Sequence, residues 1–467
     1  MTPGIYTRAA RPAEALLNLL VLCRMGAGPG GNGSSDCPPH ANRLNRRIAG
    51  PAAVPELPFE HMSVMPAFGR ETRVNLLIGT GHFFSHFYLL SLPLMFLQWQ
   101  KTFDVSFAEL GLAITLMSGA CGLLQTPVGF LVDRYGARPF LVGGTLLMTL
   151  SMSAMSFATA YWQILALALL SGVGNSVIHP ADYAILAGSI SRMRMGRAFA
   201  LHTFNGNIGS VCAPPVTAAL VLLMGWRNTL LAFGLVGIPL VLTILWQSSI
   251  LREQAHDPQV KRRPALSGGA FLLTPAMLLF FGFFFFSAMA TSGIQAWLIT
   301  ILHEVVGMDL KGASSALTAY MAGATSGILV GGWVADRTER LLAFAVTATI
   351  AAAGMILLVA LLPMAQAATV AVLFVGGMLI GASRTPRDLM VKDAAPPGQI
   401  GKVFGFVSAG LPLGQALTPV PFGFLIDMGR PDLVLVLVAV LLLASLLFIG
   451  SARASSSRPE AVPVAAE

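Results

Sequence analysis

The chain has 467 residues, of which 55% are hydrophobic and only 11% charged, and its mean hydropathy is +0.73. A soluble domain carries roughly 25% charged residues, so a soluble globular fold is excluded. The formal net charge of +8 would suit a nucleic-acid binder, but Lys and Arg sit in tails and short loops between apolar runs, so no nucleic-acid partner is expected.

Residues 1–72 stand apart from the rest. "AEALLNLLVLC" is apolar over 11 residues, too short to cross a bilayer. Arginines precede it, giving the outline of a weak signal peptide, and "LVLC" is a poor lipoprotein cleavage box because Leu22 is not small. The Gly/Pro/Ser-rich "MGAGPGGNGSSDCPPHANRLNRR" reads as disordered. A second reading is that translation starts at Met62 or Met65 and the extension is not made.

From Val74 the pattern predicts twelve apolar spans: 74–98, 107–132, 139–159, 162–190, 197–225, 228–250, 272–302, 312–335, 341–362, 368–391, 402–426 and 432–451. Each can cross a hydrocarbon core of about 30 Å as a helix rising ~1.5 Å per residue. Solid runs such as "LLFFGFFFFSAMA" lack the period of two that a β-barrel strand requires. The expected fold is therefore an all-α membrane protein: a six-helix bundle over 73–250, a polar cytoplasmic linker over 251–270, a second bundle over 271–451 and a disordered tail over 452–467. Nineteen Lys and Arg residues fall on the flanks and even-numbered loops, against four (Lys101, Arg227, Lys311, Arg430) on the odd-numbered loops. That bias predicts both termini in the cytoplasm of a bacterial inner membrane, with Trp99, Trp162 and Trp226 in an outer aromatic belt. The four cysteines form no CxxC, so neither a disulfide nor a metal site is expected from them.

The halves repeat. "GFLVDRYGAR" closes span two and "GGWVADRTER" closes span eight, pairing Gly129, Asp133 and Arg134 with Gly332, Asp336 and Arg337. "HPADYAIL" in span four matches "TPRDLMVK" in span ten, pairing Pro180 with Pro386 and Asp182 with Asp388. Gly209 and Pro214 of span five match Gly414 and Pro419 of span eleven. A duplicated bundle of this kind is a transporter architecture.

"GFLVDRYGARP" resembles the loop signature of the major facilitator superfamily, G-x-x-x-D-R-x-G-x-R, with Gly129, Asp133, Arg134, Gly136 and Arg138 in place. The second copy loses its last glycine to Glu339. "GHFFSHFYLLSLPLMF" and "GVGNSVIHPADY" are similar to the fosmidomycin-resistance-like branch of that superfamily. The resemblance implies two pseudo-symmetric bundles, a gate in which Asp133 faces the start of span eleven (Gly401 to Phe404), and a central cavity lined mainly by spans one, four, seven and ten. Gating candidates are Gly129, Asp133, Arg134, Gly136, Arg138, Asp182, Gly332, Asp336, Arg337 and Asp388. Asp182 is expected near the inner end of span four, paired with Arg134 or Arg138, and Asp388 is expected to pair with Arg337 or Arg340.

Polar residues within the spans are candidates for solute or proton binding: His82, His86, Gln125, Asn175, His179, His202, Asn205, Gln295, Tyr320 and Gln415. His82 and His86 share a helix face. His86, nearest the midplane, is the candidate for a coupling proton; solute contact and a plain interhelical hydrogen bond are the other readings. The pair has metal-ligand spacing, but no acid or third ligand accompanies it, so no metal is expected. No buried arginine near the midplane is evident. Exporters of the superfamily carry a "G-P-x-x-G-G" pattern on helix five, from which Ala213, Thr217 and Ala218 depart. No G-x-x-x-x-G-K-[ST] phosphate loop occurs. The expected function is a monomeric secondary active transporter, not an enzyme and without a cofactor. It would move a small organic solute with protons by alternating access, as drug or metabolite efflux ahead of uptake of an organic acid or sugar; a sensor on the same fold is the remaining alternative.

Overall fold

A computed structural model describes residues 69–191, 193–251, 272–395, 403 and 406–456. The disorder expected for the N-terminal extension, the linker and the C-terminal tail falls on residues almost wholly outside that set, as do the start of span eleven and the side chain of Asp133. Every regular element among the described residues is helical.

Among the described residues, eight helical stretches are long and apolar enough to cross a membrane. One of them, 197–246, is two spans, because Gly225 turns the chain at φ 77°, a left-handed conformation that a Cβ would disfavour. Span one (Arg70–Ser91, a 3₁₀ turn Leu92–Met95, then Phe96–Phe103), span three (Ala137–Met155) and span twelve (Asp432–Ser456) bring the total to the expected twelve. Pro93 has no N–H to donate, and the 3₁₀ turn sits at that residue.

Span four is interrupted. It runs as Tyr161–Asn175 and Ile178–Ser189, with a turn at Ser176 and Val177. Pro180 cannot bond the Ser176 carbonyl four residues back, and the regular hydrogen bonding lapses there while Ser176 and Val177 keep right-handed helical dihedrals. Span ten carries the matching Pro386, yet it is continuous over Gln366–Ala394. The carbonyl freed by Pro386 belongs to Ala382, which packs against Gly331 of span eight (Leu310–Ala335), where any Cβ would collide. Gly323, Gly327, Gly377 and Gly381 extend this backbone-to-backbone contact along both spans.

The repeat seen in the sequence is also a repeat of packing. Gly209 of span five lies on the Phe83 carbonyl of span one, and Gly414 of span eleven lies on the Phe285 carbonyl of span seven (Pro275–Glu304). The halves meet where span two (Phe107–Tyr135) packs on span eleven and where the helix Met195–Trp246, which holds spans five and six, packs on span eight. Trp99 and Trp226 are not in a belt. They are buried and stack near Tyr161 and Phe103, whereas Trp162 is 67% exposed as a belt residue would be.

Candidate functional site

The two ends of the bundle differ. At the end bearing the signature loops, called the basic end below, Gly136 ends span two at φ 93° and Arg134 lies over the Tyr135 ring at 5.2 Å. The glycine is required there, since its conformation is left-handed. In the second copy, where Glu339 stands, no residue takes that conformation; Arg337 instead stacks on Trp333 at 4.3 Å and donates to its carbonyl at 3.0 Å. Asp336 is exposed, Arg138 half-buried, and nothing lies within 4 Å of a Cβ built at Gly129 or Gly332. Glu71 accepts from the Ser191 amide at 3.0 Å and pairs with Arg194 at 3.2 Å, and that amide holds its carboxyl below the usual range.

At the far end the halves are locked. Ser106 and Glu109 form a capping box at the start of span two, satisfying two of its free N–H groups. Asp427, at the close of span eleven, accepts from the Phe107 and Ala108 amides at 2.7 and 2.9 Å. A carboxylate at a helix N-terminus also gains from the helix dipole. Thr115 donates to the Ala416 carbonyl at 2.7 Å; within the second half, buried Trp297 of span seven donates to the Pro419 carbonyl of span eleven at 3.0 Å. Spans two and eleven stay close as far as Gly122 and Pro412.

Asp182 is not at the cytoplasmic mouth beside Arg134 or Arg138. Its side chain is fully buried, neither oxygen accepts a hydrogen bond, and its neighbour is His202 Nε2 of span five at 3.7 Å. The His202 ring stacks on His82 at 4.1 Å, and His82 meets His86 at 4.7 Å and His179 at 5.0 Å. Spans one, four and five thus bring five expected residues into one cluster. His82 Nδ1 donates to the His202 carbonyl at 2.9 Å, and His86 Nδ1 faces Ser210 Oγ at 3.2 Å. The expectation that the His82–His86 pair lacks a third ligand is corrected: His179 supplies one, and the three rings have nitrogens within 4.8 Å of one another.

The second half is built differently. Asp388 pairs with its neighbour Arg387 at 2.8 Å, not with Arg337 or Arg340, and its side chain is 44% exposed. Arg384 is half-buried on the same span. Tyr320 is fully buried, and its hydroxyl has no hydrogen-bond partner among the described residues. Gln295 and Gln415 line a small cavity between the halves with Ser118 and Ser292. Asn205 packs on Gly79, while Gln125 and Asn175 are half-buried outside the cluster's contacts. Asp427 escaped the sequence reading altogether; the only signal was an acid where the first repeat has Leu222.

The sequence profile of the Major Facilitator Superfamily matches residues 78–386 and 312–466. The fosmidomycin resistance protein of Escherichia coli (strain K12) is 27% identical over 358 residues, covering 75% of this chain and 85% of that protein. A protein of the same organism described as a probable L-galactonate transporter is 25% identical over 262 residues, which is 53% of this chain and 57% of the relative. That second match thus spans little more than half of the relative's length. Among solved structures, a bacterial homologue of the human lysosomal transporter Spinster superposes with a TM-score of 0.66 at 15% identity, covering 84% of this chain and 97% of that one. This last likeness is one of fold.

Proposed function

As a member of the Major Facilitator Superfamily the chain is a multi-pass membrane transporter, and we propose that it exports a small organic solute in exchange for protons by alternating access. The observation that carries this reading is the contrast between the two ends of span two. Its start is fastened to span eleven by Asp427, while among the described residues nothing comes within 4 Å of a Cβ placed on its signature glycine, Gly129. A pair of bundles closed at one end and loose at the other is one of the two states that alternating access needs. The basic end is placed in the cytoplasm, with both termini there, and the working unit is a monomer in a bacterial inner membrane. Asp133 takes over the latch, at the start of span eleven, when the bundles rock the other way. Gln295 and Gln415 are the proposed solute contacts. The chain has no phosphate loop, which favours an ion gradient as the driver.

Efflux is favoured by the extent of the match to the fosmidomycin resistance protein. Uptake of an organic acid is the second reading. It is supported by Ala213, Thr217 and Ala218, which depart from the exporter pattern, and by the match to the probable L-galactonate transporter. The test is solute-driven proton movement in proteoliposomes holding a pH-sensitive dye, with a panel that includes fosmidomycin and L-galactonate. A proton flux set off by at least one solute and abolished by Asp133→Asn is expected. Folded protein that moves no protons with any of them contradicts the proposal.

A further inference from the structure

We propose that His82, His86 and His179 form a binding site for one transition-metal dication of the zinc class, tying the broken segment of span four to span one. The site is independent of which solute the protein moves.

The donors are already gathered. One nitrogen from each of the three rings lies within 4.8 Å of the others. Zn–N bonds of about 2.0–2.1 Å in a tetrahedral site would need them somewhat closer, a contraction that side-chain rotation can supply. The rings are also oriented as ligands. A carbonyl can only accept, so the 2.9 Å contact with the His202 carbonyl puts the proton of His82 on Nδ1. That leaves Nε2 with its lone pair free, and this atom is buried without a hydrogen-bond partner. Metal-bound histidines are held in this manner, one ring nitrogen on a carbonyl or hydroxyl and the other on the ion. His86 Nδ1 lies 3.2 Å from Ser210 Oγ, a hydroxyl able to accept from it and so to leave Nε2 for an ion. His179 Nδ1 is likewise buried without a partner.

The charge is also provided for. Fully buried Asp182 accepts no hydrogen bond and stands 3.7 Å from His202, whose ring lies against His82. A dication in the triad gives this otherwise uncompensated acid a counter-charge. Three imidazoles select zinc, copper, nickel or cobalt over magnesium and calcium, which prefer oxygen. His86 and His179 are half-buried, so the triad is not sealed. The second half has nothing comparable: Thr385 stands at the counterpart of His179 and Val407 at that of His202.

The experiment uses the full chain, purified in detergent without a polyhistidine tag and stripped with chelator. Zinc is then added and counted after dialysis, and cobalt is added as a spectroscopic probe. We expect roughly one zinc per chain, an upward shift in melting temperature, and a visible cobalt band typical of nitrogen ligation. His179→Asn and His86→Gln should each weaken binding at least tenfold, while His303→Asn, at the far end, should not. Size-exclusion profiles matching the wild type establish that a variant is folded, and either folded variant suffices. No retained zinc overturns the proposal. So does binding that survives both variants, which would place the ion elsewhere.

Discussion

Spans four and ten carry the same motif and use it in opposite ways. In span four the helix breaks ahead of Pro180, and Asp182 goes into the protein beside His202. In span ten the helix runs unbroken through Pro386, and Asp388 sits half-exposed against Arg387. The proline alone does not decide the outcome. What differs is the neighbour: Gly331 lets span eight press on the Ala382 carbonyl that Pro386 leaves unpaired. Duplication fixed the pattern of residues, and later packing partners assigned the roles.

The largest effect should come from the glycine contact that keeps span ten straight. Gly381→Leu drives a side chain into the Ala324 backbone and should cost about 3 kcal/mol or prevent folding. The counterpart Asn175→Leu, at a half-buried position, should stay within about 1 kcal/mol. Thermal unfolding in detergent, followed by tryptophan fluorescence, compares the two; equal losses would break the contrast between the spans. Next, Asp182→Leu in metal-free protein should raise stability by about 1–2 kcal/mol, because it removes a buried acid with no hydrogen-bond partner. A loss of stability there would mean that Asp182 is held by interactions its geometry does not show. Asp427→Asn weakens a charge-assisted cap on span two and should cost about 0.5–1 kcal/mol. The smallest change is expected for Asp388→Asn, at most ~0.5 kcal/mol, since a half-exposed ion pair contributes little. A fall as large as that of Gly381→Leu would make the Arg387–Asp388 pair a structural element in its own right.

The spans were legible because hydropathy and length are local properties. The repeat was legible because Gly209 and Gly414 do the same thing in both halves, seating one helix on a neighbour's carbonyl. The partners of Asp182 and Asp388 were not. Counting residues along a helix gives depth but not azimuth, and azimuth sends Asp182 toward span five and away from the arginines of the signature loop. The same limit hid His179 as a third donor: His82 and His86 share a helix, whereas His179 reaches them only through the fold. The aromatic belt failed for a related reason. Trp99 and Trp226 are at the expected end but turn inward and pack on each other's surroundings.

The claim that the two bundles rock about spans two and eleven, with the far end closed by Asp427, is best tested by paired spin-label distances. One pair sits at the basic end, on exposed Leu131 and Trp333, and the other at the far end, on exposed Lys101 and Val305. The native cysteines are replaced by serine. In Asp427→Asn a new population should appear in which the far-end distance lengthens and the basic-end distance shortens, in equal fractions. A far end that lengthens with the basic end unchanged, or two distances that do not respond, would contradict the account.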